Sequence, residues 1–194
     1  MASAAAAPRA SSTVLIVPGL RDHVAQHWQT LLAAQWPGCA SVPPMGREHV
    51  DCRTRVEAVE AAVAEIDGPV ILVAHSGGCL TVAHWARRSA RAHRVRGALL
   101  ATPPDFDSPL PEGYPDREAL RAAGWFPVPR QPLPFPSLVA FSRNDPLGRT
   151  ERVRDLARGW GSRTRDLGEV GHLNPASGYG PWPLAQDLIA ELDR

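Results

Sequence analysis

Ser76, Asp145 and His172 are the residues in this sequence whose types could together break an acyl bond. A serine hydroxyl is a poor nucleophile until a base removes its proton. The base in turn needs an acid to orient it and to stabilise its cation. Ser76 lies in Val73-Ala74-His75-Ser76-Gly77-Gly78, at the end of an apolar run. A strand, a tight turn carrying one Ser and a following helix form a nucleophile elbow, written G-x-S-x-G. Here Ala74 stands at the first small position. The plainer reading is a Ser that caps a helix after a strand.

His172, in Gly168-Glu169-Val170-Gly171-His172, follows the last expected strand. Its flanking glycines allow an irregular loop that turns the imidazole toward Ser76. The plainer reading is a loop His without a role. The other six are poorer candidates: His27 and His84 fall on expected helices, His23, His49 and His93 near segment ends, and His75 on the turn beside Ser76. Asp145, in Ser142-Arg143-Asn144-Asp145-Pro146, follows another strand. An Asp before Pro is also a good helix N-cap with Pro at the first helical position. Asp166 and Glu169 are the alternative acids, but they precede His172 closely.

The order Ser, Asp, His is that of α/β-hydrolases and of neither other common triad fold. Such a site needs N–H donors for a developing oxyanion. The Gly77 N–H at the start of the helix is one. The Leu20 N–H, after Pro18-Gly19, is the other. In the sheet order 2-1-3-4-5-6 the first and third strands are neighbours at the switch point, so both donors face one crevice.

The elements that must position these groups are legible as apolar runs. Thr13 to Val17, Val70 to Ala74, Gly97 to Ala101, Ser137 to Ser142 and Arg163 to Leu167 are expected strands, with a short one at Cys39 to Val42. The fully apolar VILVA run suits burial on both faces of a parallel sheet. Helices are expected around Trp28 to Trp36, Val56 to Ile66, Gly78 to Ala92, Arg149 to Trp160 and Leu184 to Leu192. This alternation implies a parallel sheet with helices on both sides. Residues 13–194 are expected to form one domain, preceded by a disordered tail at 1–12.

Residues 103–136 break the rhythm. They hold 10 of the 20 prolines and one expected helix, Asp116 to Ala123, ended by Gly124. A loop this long is uncommon unless functional or disordered. It is expected to form a small cap or pocket wall, with Phe106, Trp125 and Phe126, beside His75, facing substrate; the alternative is a surface excursion.

A net charge of +1 gives no basic surplus for nucleic acid. All 21 basic residues are Arg, a composition bias without functional content. Cys39, Cys52 and Cys79 form no C-x-x-C pair, and no His, Cys and carboxylate cluster has metal spacing. Cys79 suits a small buried hydrophobe better than a second nucleophile. No apolar run approaches a membrane span, and residues 1–12 lack the pattern of a secretory signal, so a cytoplasmic location is expected.

Val17-Pro18-Gly19, His27-Trp28, Ala74-His75-Ser76-Gly77-Gly78, Asn144-Asp145-Pro146, Trp160-Gly161, Gly171-His172-Leu173-Asn174 and Ser177-Gly178-Tyr179-Gly180-Pro181-Trp182-Pro183 carry a further resemblance. Through them the chain resembles the small serine hydrolases grouped with retinoblastoma-binding protein 9 and YdeN, a reduced branch of the α/β-hydrolases. The resemblance implies a three-layer fold on a six-stranded parallel sheet, the triad named above, no cofactor and small ester-like substrates. The Leu-x-Cys-x-Glu motif for retinoblastoma-protein binding is absent, so that interaction is not carried over. Where the family often has a larger residue after Ser, this chain has Gly77, which would widen the pocket.

A carboxylesterase acting through an acyl-enzyme is therefore expected. The alternatives are an amidase or peptidase with the same triad, and a binding module on a hydrolase fold. Substrate is expected to be a small molecule, with no nucleic-acid or membrane partner.

Overall fold

The computed structural model describes residues 12–21, 24–43, 45–46 and 50–194. His23, His49 and residues 1–11 of the expected tail lie outside them. Ser12 is not part of a free tail: it is buried, and its hydroxyl donates to Asp193.

Six strands run parallel in the order 2-1-3-4-5-6. They are β1 (Thr13–Val17), β2 (Ala40–Ser41), β3 (Val70–His75), β4 (Val95–Ala101), β5 (Ser137–Phe141) and β6 (Arg163–Asp166). The helices are α1 (Trp28–Gln35), α2 (Cys52–Ala64), α3 (Gly77–Ala86), α4 (Arg117–Ala122), α5 (Thr150–Gly159) and α6 (Leu184–Leu192).

Alternation along the strands splits the core into two layers. Leu15, Val17, Leu72, Ala74, Leu100 and Val139 point to one face, which α2, α3 and α5 cover with Val59, Leu80, Val153 and Leu156. Val14, Ile16, Ile71, Val73, Leu99 and Leu138 point to the other, which α1 and α6 cover with Trp28, Leu32, Leu188 and Ile189. Burying one such side chain contributes about 1.5–3 kcal/mol. The sheet is thus a rigid platform for whatever stands at its strand ends. This is a three-layer α/β fold with the sheet order expected from the sequence.

Strand β4 starts at Val95, two residues before the expected Gly97, and helix α3 and Asp145 also depart from the sequence reading. Helix α3 ends at Ala86, six residues before the expected Ala92. The Ser89 hydroxyl accepts the Arg91 N–H and donates to Glu60, so the backbone turns there instead of continuing. Asp145 caps no helix: α5 starts at Thr150, with Arg149 before it. The Asp145 carboxylate instead accepts the Leu147 N–H in a local turn.

The 103–136 segment divides in two. Residues 104–115 reach the C-terminal edge of the sheet and border a cleft. The remainder packs behind them, with Leu120 and Trp125 buried, Trp125 donating to the Val50 carbonyl and Trp160 to the Pro129 carbonyl. Among the described residues, no helix is long and apolar enough to cross a membrane.

Candidate active site

Ser76 sits between β3 and α3 with φ 55° and ψ −131°, a left-handed conformation that a non-glycine residue adopts at a cost of about 1–3 kcal/mol. Close packing holds it there. The Ser76 N–H donates to the Ala101 carbonyl on β4. A Cβ on Gly78 would lie 2.5 Å from the Val17 carbonyl oxygen, so only glycine lets α3 start this close to β1.

His172 stands opposite. Its Nε2 is 2.8 Å from Ser76 Oγ, and its Nδ1 is 3.0 Å from each Asp145 carboxylate oxygen. A carboxylate only accepts, so Nδ1 carries the proton and Nε2 is left to accept from the Ser76 hydroxyl. Asp166 does not take the part of the orienting acid: it pairs with Arg143, and the Gly168 N–H, with Arg143 second, holds its carboxyl below the usual range. Glu169 is exposed.

The loops around His172 are tied by groups that the sequence motif named without explaining. Asn144 Oδ1 accepts the Gly171 N–H at 2.7 Å, joining the Asp145 loop to the His172 loop. Ser177 Oγ accepts the His172 N–H at 3.0 Å, and Asn174 holds Ser177. A Cβ on Gly171, at φ +57°, would lie 2.5 Å from Ser177 Oγ, which accounts for glycine before His172.

His75 is tied to this cluster. Its Nε2 lies 2.9 Å from the His172 carbonyl oxygen. Burial, and then the neighbouring His172 and His27, push its pKa well below the ordinary 6.5. The neutral ring therefore donates Nε2–H to that carbonyl. Among the described residues, Thr102, at φ 45°, and Leu173, at φ 49°, are the other non-glycine residues with positive φ; Thr102 Oγ1 lies 3.5 Å from the His172 carbonyl oxygen, and Leu173 follows His172. Apolar periodicity gives no hint of either.

A cleft of about 220 Å³ opens above Ser76, lined by Leu20, Val24, His27, Phe106, Tyr114 and Leu147 among others. Of the expected pocket residues, His75 and Phe106 border it. Trp125 does not: it is fully buried behind Phe106, ring centroids 5.5 Å apart, with its N–H committed to Val50. Phe126 lies at a separate depression with Arg87, Arg88 and Pro127. The widening expected from Gly77 is also absent. A Cβ there would meet Leu20 Cγ at 2.6 Å, so the Leu20 side chain fills that space. Trp28 packs in the core against Trp182, whereas His27 borders the cleft. Cys79 is buried against the Ala101 carbonyl, and burial raises its thiol pKa well above the ordinary value. Among the described residues, no group of three His, Cys, Asp or Glu side chains could hold a metal ion.

The backbone donors expected from Leu20 and Gly77 flank Ser76. A Cβ on Gly19 would lie 3.5 Å from Ser76 Oγ, so the peptide leading into Leu20 runs beside the hydroxyl. Gly77 is the first residue of α3, whose N-terminus adds positive partial charge.

A family model described as serine hydrolase matches residues 14–191. No curated protein matches the chain in sequence. Among solved structures, a YdeN-like hydrolase from Pectobacterium atrosepticum is 29% identical, with a TM-score of 0.76 over 93% of this chain and 90% of that one. The ydeN gene product of Bacillus subtilis is 18% identical, with a TM-score of 0.68 over 94% and 98%. An esterase domain from a Rhodothermus marinus protein is 16% identical, with a TM-score of 0.67 over 96% and 88%.

Proposed function

Because this chain belongs to the serine hydrolase family, we propose that it is a carboxylesterase for small acyl esters, with Ser76, His172 and Asp145 as its catalytic triad. The observation that carries this reading is the unbroken chain from Ser76 Oγ through His172 to the Asp145 carboxylate, at 2.8 and 3.0 Å. His172 Nε2 takes the Ser76 proton as Oγ attacks the ester carbonyl. The carbonyl oxygen becomes an oxyanion between the Leu20 and Gly77 N–H groups. Collapse of that intermediate breaks the bond to the alkoxy oxygen, which leaves with the proton from His172. Water, deprotonated by the same ring, then attacks the acyl-Ser76, and the carboxylic acid is released. Asp145 holds the ring and stabilises its cation throughout.

The cleft favours short acyl groups. At about 220 Å³ it is smaller than the roughly 300–1,000 Å³ of pockets that take drug-sized ligands. Its described walls are mostly apolar, with Leu20, Val24, Phe106 and Leu147 facing the acyl chain. A freely diffusing cytoplasmic ester is the substrate class proposed.

The test is a series of p-nitrophenyl esters from acetate to decanoate beside matched anilides. The expected result is ester hydrolysis that peaks at short chains, is lost in Ser76→Ala and exceeds anilide hydrolysis by at least about 100-fold in kcat/KM, or about 2.7 kcal/mol. Equal turnover of anilides would replace the esterase reading with a peptidase. A folded protein that turns over neither would point to a binding module.

A further inference from the structure

Arg55 is an arginine of α2 that is only 3% exposed, and it does not border the cleft. Its Nη1 donates to the Gly19 carbonyl at 3.3 Å, and its Nη2 to the Leu20 carbonyl at 3.1 Å and the Gly46 carbonyl at 3.5 Å. Two of these carbonyls belong to the loop after β1, the loop that supplies one of the two proposed oxyanion donors.

The direction of these contacts matters. The Gly19–Leu20 peptide is trans, so its C=O and its N–H point in opposite directions. Arg55 fixes the carbonyl from the protein side. The N–H of the same peptide plane must then face the other way, toward the cleft. Gly19 brings this peptide to Ser76: its Cβ would stand 3.0 Å from Ser76 Cβ. A guanidinium donating to a peptide carbonyl also polarises that peptide, which makes its N–H a stronger donor.

We infer that Arg55 is a positioning residue that aims and polarises the Leu20 N–H at the oxyanion. The inference rests on the esterase reading of Ser76. Arg55 touches no substrate and acts through the backbone. A residue that works this way should affect the transition state and leave ground-state binding alone. Gln29 of α1 holds the ends of β1 and β3, its side-chain amide donating to the Val17 and Val73 carbonyls at 3.2 and 3.0 Å. It reaches the strand end and not the donor peptide, so it lacks the directional relation that Arg55 has.

The experiment compares wild type, Arg55→Met and Arg55→Lys on one short-chain ester, together with inhibition by the matching trifluoromethyl ketone. Ser76 attacks that ketone to form a stable oxyanion. Direct removal of an oxyanion donor costs about 10²–10³ in kcat. Loss of its support should lower kcat by roughly 10–100-fold in Arg55→Met, the size seen for outer-shell partners elsewhere. KM should stay within about twofold, ketone affinity should fall by the same factor as kcat/KM, and the pH–rate profile should not move. Arg55→Lys retains a cation that can reach one carbonyl and should recover part of the loss. If Arg55→Met fails to fold, Arg55→Lys carries the test, with the Leu20 amide resonance expected to shift in NMR spectra.

A folded variant with wild-type kcat and ketone affinity overturns the inference. So does a loss of kcat that comes with a displaced pH profile, because that would place the damage at His172. If wild type itself neither hydrolyses the ester nor binds the ketone, the esterase reading fails and Arg55 loses its role with it.

Discussion

At the residue scale, three histidines are held by different partners. His172 has a carboxylate on one side and a hydroxyl on the other. His75 beside it is buried and neutral. His84 on α3 is a third case, outside the cleft. It donates Nε2–H to the Trp125 carbonyl, and desolvation, with Arg88 nearby, lowers its pKa to about 4. The folded pKa lies below the unfolded value of about 6.5, so the unfolded chain binds the proton first. His84 therefore contributes full stability above about pH 6.5 and loses it as pH falls toward 4. The expected difference is about 2 kcal/mol: urea denaturation at pH 7 and pH 4.5 should show wild type losing that much more than His84→Gln, which can keep the bond to Trp125 without titrating. Equal losses would place the acid sensitivity elsewhere. Ser76, Asp145 and His172, the proposed triad, were legible in the sequence because each follows an apolar strand in a fixed order. Arg55 was not, since one arginine on an amphipathic helix of an arginine-rich chain is indistinguishable from a solvated one.

At the element scale, the contact between β1 and α3 sets the geometry. Gly78 is where the helix start meets the carbonyls of Val17 and Pro18, at 2.5 and 2.6 Å from a built Cβ. These are backbone atoms, so nothing can rotate aside. Gly78→Ala is expected to destabilise the fold by about 2–3 kcal/mol. It should also lower ester turnover, because the displaced carbonyls lead directly into Gly19 and Leu20. A variant with unchanged urea midpoint and unchanged kcat would show that the packing is looser than described. The glycines of the elbow were readable in the sequence as small residues at a strained turn. What they face was not: Leu20 fills the space beside Gly77, a contact between segments remote in sequence. The 103–136 segment was the least legible, because its prolines remove the periodicity that shows which side chains turn inward. That is why Phe106 borders the cleft while Trp125 stands behind it and Phe126 apart from it.

At the scale of the whole molecule, the proposed reactive groups are delivered by strand ends that this topology brings together. The loop after β1 supplies Leu20, β3 supplies Ser76, and the segments after β5 and β6 supply Asp145 and His172. With β1 and β3 adjacent and the chain winding outward in both directions from them, these loops meet above one edge of the sheet. Residues 104–115 wall the cleft over that edge. This assembly is proposed to activate Ser76, and labelling by a fluorophosphonate probe reads that activation. Folded wild type should label at Ser76. Labelling should vanish in Ser76→Ala, fall at least about 10³-fold in rate in His172→Ala, and disappear when wild type is unfolded in urea. Folded wild type that does not label, or His172→Ala that labels at the wild-type rate, would mean that His172 does not activate Ser76.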